Sequence, residues 1–179
     1  HLALQASDIG PGDEVLVQSL TYVASFQAIS ATGATPVACD IDETTLTLDL
    51  RDSENRLTTK TKAVMPVHYG GGVGALDEIY AFAQKHGLRV IEDAAHAFGT
   101  KYQGKLVGGI GDIACFSFDG IKNITSGEGG MVVCNSKEDY ELIYFLIDNP
   151  LSNMSLIFTP GVIAKAPKAI VSIGGGDFI

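Results

Sequence analysis

The sequence predicts an α/β fold, a three-layer arrangement in which a mostly parallel sheet carries helices on both faces. Two patterns lead to it. Apolar runs of strand length alternate with segments of helical spacing. Several runs, such as Ile113-Ala114-Cys115-Phe116, are apolar almost throughout, as strands covered on both faces must be. Composition adds a third observation. The 179 residues are 46% hydrophobic and 18% charged, enough to bury one core and incompatible with disorder.

The elements follow in order. His1 to Ala6 has the pattern of a helix entered midway, without a cap before it. After the turn Pro11-Gly12-Asp13, Glu14 to Val17 is a short strand. Tyr22 to Thr32 reads as a helix ended by Gly33, and Thr35 to Ile41 as the next strand. Further strands are expected at Ala63–His68, Leu88–Asp93, Ile113–Phe118 and Met131–Cys134. Leu76, Ile79, Tyr80 and Ala83 recur at three- and four-residue spacing, one helical face, and Gly87 is its C-terminal stop. Ser136 with Asp139 forms an N-terminal cap for a helix through Ile147. Beyond Asp148 the periodicity is lost, and residues 149 to 179 carry no assigned structure.

Charge and cysteines narrow the function classes. Lysine and arginine number 12 and aspartate and glutamate 21, so the net charge is 12 − 21 = −9. No basic patch suits nucleic acid, and an anionic membrane surface would repel the chain. No apolar stretch spans a bilayer and no signal-peptide pattern opens the chain. Three cysteines without metal-ligand spacing read as buried thiols of a reducing, cytoplasmic location.

In open α/β sheets ligands collect at the carboxyl ends of strands. Polar residues at those ends are Asp40, Asp42, His68, Asp93, His96 and Ser117, with Lys122 four residues beyond Phe118. Asp93, His96, Ser117 and Lys122 bring together an acid, an imidazole, a hydroxyl and an amine. Each has a plainer reading: a helix cap, a structural histidine, a solvated lysine. Lys122 lies beside the glycine-rich run Gly127-Glu128-Gly129-Gly130. A lysine there serves either as a point charge for phosphate or as a nucleophile forming an imine with an aldehyde. A competing motif is Gly70-Gly71-Gly72-Val73-Gly74-Ala75, which fits G-x-G-x-x-A, with Glu92 and Asp93 about 20 residues on. It keeps a nicotinamide-dependent enzyme open.

Ordered motifs carry a resemblance. Gly12-Asp13-Glu14-Val15-Leu16-Val17-Gln18-Ser19-Leu20-Thr21-Tyr22-Val23-Ala24-Ser25 is followed by Gly33-Ala34-Thr35-Pro36-Val37 and Asp40-Ile41-Asp42. Then come Pro66-Val67-His68, Val90-Ile91-Glu92-Asp93-Ala94-Ala95-His96-Ala97 and Gly111-Asp112-Ile113-Ala114-Cys115-Phe116-Ser117-Phe118. Lys122-Asn123 and Gly127-Glu128-Gly129-Gly130 close the series. Over residues 1 to 148 the chain resembles the DegT/DnrJ/EryC1/StrS family of pyridoxal-phosphate aminotransferases acting on nucleotide-linked keto sugars. The fold implied is an incomplete large domain of the fold type I pyridoxal-phosphate transferases.

The resemblance implies roles. Lys122 matches the lysine that holds pyridoxal phosphate as an imine and, once released, moves a proton to the cofactor carbon. Asp93 matches the acid paired with the pyridine nitrogen. His96 occupies a position that is often Gln in the family, near the ring hydroxyl. Ser117 matches a phosphate-contacting hydroxyl, and Tyr22 an aromatic that packs on the ring, with plain core packing as its alternative. Some relatives carry His in place of the lysine and are dehydratases, so Lys122 favours transamination. The implied partners are an amino-acid donor, glutamate first, a nucleotide-linked keto sugar, and a second copy in a homodimer.

The departures are as specific. The family's Ser-Gly-Thr phosphate-binding turn would precede His1, and its smaller C-terminal domain would follow Asp148. Residues 149 to 179 do not resemble that domain. The chain is therefore expected to be part of a larger catalytic unit, binding cofactor weakly and turning over little alone, or else to be an inactive remnant. Exposed apolar patches are expected where the missing parts or a partner would pack.

Overall fold

A computed structural model describes residues 1–148 and 169–172. The chain opens with helix α1 (Leu2–Ala6), then strand β1 (Glu14–Gln18), helix α2 (Val23–Ala31) and strand β2 (Thr35–Cys39). Helix α3 (Leu50–Asn55), strand β3 (Thr61–Met65), helix α4 (Leu76–His86) and strand β4 (Arg89–Asp93) follow. A small hairpin, β5 (Lys101–Tyr102) and β6 (Lys105–Leu106), precedes β7 (Ile113–Ser117) and β8 (Gly130–Cys134). Helix α5 (Lys137–Asp148) and strand β9 (Ala169–Ser172) complete it.

The main sheet runs β2-β1-β3-β4-β7-β8-β9. From β2 to β7 neighbouring strands are parallel, while β7–β8 and β8–β9 are antiparallel. Side chains alternate across the sheet, and both faces are covered. Val15, Val17, Ala63, Met65, Ile91 and Ile113 face one core with Leu4 of α1, Ile29 of α2 and Ile143 of α5. Leu16, Val64 and Val90 face the other with Ile79, Phe82 and Ala83 of α4. This is the expected three-layer arrangement.

Most expected elements are present with shifted ends. The strand expected at Ala63–His68 begins two residues earlier and stops at Met65, because Pro66 has no N–H for the ladder; Val67 and His68 still pair with Asp93 before Tyr69–Gly71 turn as a short 3-10 segment. Gly87 ends α4 in the left-handed conformation, φ 66° and ψ 34°, as its position predicts. Asp139 N–H donates to Ser136 Oγ at 3.1 Å, the expected cap of α5. Helix α3 and the β5–β6 hairpin were not expected, since neither has a long apolar period. Asp49 caps α3, its Oδ1 accepting from Arg51 N–H at 2.7 Å. Within residues 149–179, β9 pairs with β8; the remainder lies outside the described residues.

The amino edge of the sheet is stapled by ions. Arg89 donates to both oxygens of Asp112 at 2.7 and 2.8 Å and to Asp139 Oδ2 at 2.8 Å. The opposite, carboxyl edge opens into a cleft.

Candidate active site

Strands β3, β4 and β7 end beside one another. Val67 forms a parallel bridge with Asp93, and Asp93 is in register with Cys115. The turns leaving these ends, with the start of α2, enclose a cleft of about 400 Å³. Tyr22, Asp93, His96, Ser117 and Lys122 all line it. Residues 100 positions apart in the chain thus meet at one edge. Met65, Val67, Ile91 and Ala95 supply apolar wall between the polar groups.

Asp93 ends β4 and is held on two sides. Its Oδ2 accepts from Ser25 Oγ at 2.6 Å and its Oδ1 from Ala95 N–H at 3.1 Å. The Ala95 contact closes a local turn and no helix follows Asp93, so the helix-cap reading does not hold, and the carboxylate lines the cleft. His96 is half-buried, with its Nδ1 accepting the Gly70 N–H at 3.2 Å. A ring nitrogen that accepts has no proton, so the neutral imidazole carries its proton on Nε2. Tyr69 stands edge-on to the His96 ring at 6.0 Å.

Lys122 sits in a tight turn after β7. Its own N–H donates to Asp119 O at 3.0 Å, and Ile121 N–H donates to Asp119 Oδ1 at 3.0 Å. The loop is closed at its base, where Phe118 N–H donates to Gly129 O and Ser126 N–H to Phe118 O. Ser117, the last residue of β7, accepts from Asp119 N–H at 3.4 Å. Tyr22 is 73% exposed at the cleft mouth, which removes core packing as an explanation of it. Cys115 also lines the cleft, and burial pushes its thiol up to about 11.

Other strand-end candidates are elsewhere. Asp42 closes a surface turn, its carboxylate accepting from Thr44 and Thr45 N–H groups, which lower its ionisation range. Asp40 caps its own turn through Ile41 N–H. His68 is fully buried, its Nε2 2.6 Å from Glu92 Oε2, and Glu92 Oε1 accepts from Tyr80 Oη at 2.6 Å. Tyr80 Oη in turn accepts from Asp112 N–H at 2.8 Å. This plainer, structural role therefore holds for His68.

The glycine-rich loop does not form a dinucleotide cradle. A Cβ at Gly74 would run into Thr47, and one at Gly71 would come within 3.2 Å of His96 O. The loop turns through a short 3-10 segment at Tyr69–Gly71 and reaches α4 only at Leu76. Glu92 is buried in the His68–Tyr80 array, out of reach of a ribose. Among the described residues no cluster suits a metal ion, and no helix is long and apolar enough to cross a membrane.

Sequence reasoning missed Ser25, Thr21 and Tyr69, which also line the cleft. Ser25 had a signal. It lies three residues after Tyr22 at the start of a helix, and residues at that spacing share a face.

Comparison with known proteins places the chain among aminotransferases. The chain is 52% identical over 141 residues to the GDP-perosamine synthase of Escherichia coli O157:H7, covering 79% of this chain and 39% of that protein. It is 51% identical over 137 residues to the spore coat polysaccharide biosynthesis protein SpsC of Bacillus subtilis (strain 168), covering 76% of this chain and 35% of that one. Among solved structures, S. venezuelae DesV in complex with a ketimine intermediate superposes with TM-score 0.80 at 44% identity, over 82% of this chain and 40% of DesV. The chain thus spans about two fifths of the length of these relatives. The model of one family aligns with residues 1–155, and through it the chain belongs to the DegT/DnrJ/EryC1/StrS aminotransferase family.

Proposed function

We propose that this chain is the catalytic portion of a pyridoxal-phosphate-dependent aminotransferase that transfers an amino group, from glutamate, to a keto group of a nucleotide-linked sugar. The observation that carries the reading is the meeting in one cleft of Asp93, at the end of β4, and Lys122, in the turn after β7. Among the described residues no hydrogen bond or ion pair engages the Lys122 amine, so it is free to react. The cleft is sized for a pyridine ring with its substituents, apolar along the walls and acidic at Asp93. When bound, the cofactor supplies an electron sink for the substrate carbon.

The chain's own groups do the rest. Asp93, held by Ser25 and Ala95, would take the ring nitrogen and favour its protonated form. His96, with its proton on Nε2, would be the donor for the ring hydroxyl. Ser117 would contact the phosphate, and Tyr22 would cover the ring from the mouth. Lys122 would hold the aldehyde and, once released, serve as the base that moves a proton. We assign residues 1–148 to the cofactor-binding unit, to whose sheet β9 adds an edge strand.

Tyr22 and Ile121, 73% and 88% exposed at the mouth, support a homodimer in which a second copy closes the site. None of the cysteines forms a disulfide among the described residues, which supports a reducing, cytoplasmic location.

The test is chemical. The chain is incubated with excess pyridoxal phosphate, reduced with borohydride and digested. A mass increase on the Lys122 peptide, absent after Lys122→Ala, is expected. Uptake confined to other lysines would sink the reading, and no uptake at all would favour an inactive remnant.

A further inference from the structure

Ser25 lies at the third position of α2, where a serine commonly bonds to its own helix. Here it reaches across 68 residues of chain to β4. Its Oγ is 2.6 Å from Asp93 Oδ2 and 2.7 Å from Thr21 Oγ1, and the residue is only 4% exposed. An ionised carboxylate accepts and never donates, so the Ser25 hydrogen points to Asp93. With its one hydrogen committed, Ser25 accepts from Thr21. The order is Thr21 O–H to Ser25 O–H to Asp93. Ala95 N–H occupies the other carboxylate oxygen at 3.1 Å. The backbone of Asp93 is pinned too, its N–H donating to Pro66 O and its carbonyl accepting from His68 N–H, each at 2.9 Å.

We infer that Ser25, oriented by Thr21, is the positioning residue that fixes the Asp93 carboxylate toward a ring nitrogen, so that the start of α2 sets both the acid and, through Tyr22, the ring-covering aromatic. The inference rests on the reading of Asp93 as the partner of that nitrogen. A hydrogen bond to a charged group in a site shielded from water is among the stronger ones. It holds the carboxylate in one rotamer. Without it, Asp93 keeps only the Ala95 contact and is free to turn about its own bond. Ser25 would then matter for ligands with a ring nitrogen and be indifferent to those without one.

The experiment compares two ligands, pyridoxal phosphate and its analogue with carbon in place of the ring nitrogen, on wild type, Ser25→Ala and Ser25→Thr. Ser25→Ala should weaken pyridoxal phosphate roughly tenfold and leave the analogue unchanged. Ser25→Thr, which keeps the hydroxyl, should restore most of the loss. Equal weakening of both ligands, or of neither, overturns the inference. Wild-type protein that binds the two ligands equally well would instead sink the role of Asp93. A cofactor-free readout decides Ser25 even then. The side-chain carboxyl ¹³C resonance of Asp93, assigned with Asp93→Asn, should move in Ser25→Ala and return in Ser25→Thr, and an unmoved signal overturns the coupling. Should Ser25→Ala fail to fold, Ser25→Cys keeps the volume with a much weaker donor and carries both comparisons.

Discussion

Individual side chains in this protein divide by what they are paired with. Asp93 has two donors and still faces the cleft, whereas Glu92, its neighbour, faces the opposite way and is locked between His68 and Tyr80. Adjacent strand residues point to opposite faces, so one carboxylate is available for chemistry and the other for architecture. The Tyr80 hydroxyl is driven well above its ordinary range, first by burial and then by the Glu92 charge, and it stays a donor at any physiological pH. Cys115 is the residue whose titration is measurable. Burial raises its thiol from 9.0 to about 11, with the carboxylates of Asp93 and Glu92 adding to the shift. A raised folded value means the native state keeps its proton where the unfolded chain has lost it. The contribution to stability is complete below pH 9 and falls as the pH rises toward 11. Urea midpoints across that window should therefore decline more steeply for wild type than for Cys115→Ala. Alkylation of Cys115 in the native protein should stay slow at pH 8, although the residue lines the cleft.

Elements are held at their ends. Helix α4 illustrates how a sequence signal becomes geometry: acidic Asp77 and Glu78 in the first turn, Lys85 and His86 in the last, and Gly87 in the left-handed region beyond. Gly111 is the more demanding glycine. Its φ is +85°, and a Cβ there would collide with Tyr80 Oη. Gly87, by contrast, has open space around its Cβ position. Gly87→Ala should cost about 1 kcal/mol from backbone strain alone. Gly111→Ala should cost roughly 3 kcal/mol, because it adds displacement of the Tyr80–Glu92–His68 array to the strain. Equal shifts in urea unfolding for the two variants would contradict this ranking. Helix α5 depends on two caps of different kinds, the Ser136 hydroxyl on Asp139 N–H and Arg89 on the Asp139 carboxylate.

Across the whole molecule, the two edges of the sheet do different work. The amino edge is closed by Arg89, which joins the start of β4 to Asp112 ahead of β7 and to Asp139 in α5. The carboxyl edge is left open, and the cleft occupies it. Arg89→Met should leave Asp139, 8% exposed at its side chain, without its cation. A loss of about 2 kcal/mol is expected, after allowance for the partly exposed arginine. Cofactor uptake at Lys122 should survive it, since the substitution lies at the far edge. Large apolar side chains are exposed at the cleft mouth, Tyr22 and Ile121, and on α5, Leu142, Tyr144 and Phe145. That agrees with the exposed apolar patches expected where missing parts or a partner would pack.

The sequence by itself determined the strands, the long helices, the cap at Ser136 and the stop at Gly87, because each follows from local spacing of apolar residues or from one residue's backbone freedom. It also nominated Asp93, His96, Ser117 and Lys122 from strand ends and the turn beyond β7, and Tyr22 from the ordered motifs of the resemblance. Only the tertiary structure decided that these five share one cleft, that β8 turns antiparallel after β7, and that Gly70 sets the tautomer of His96. It alone showed that Gly74 of the glycine loop packs on Thr47 and that Glu92 is committed to His68 and Tyr80. The contact of Ser25 with Asp93 joins a helix start to a strand end 68 residues away, and no periodicity encodes such a pair. The reason is physical. Local pattern selects backbone conformation, whereas strand order and close polar contacts arise when two apolar faces are buried at once and every enclosed polar group must find a partner.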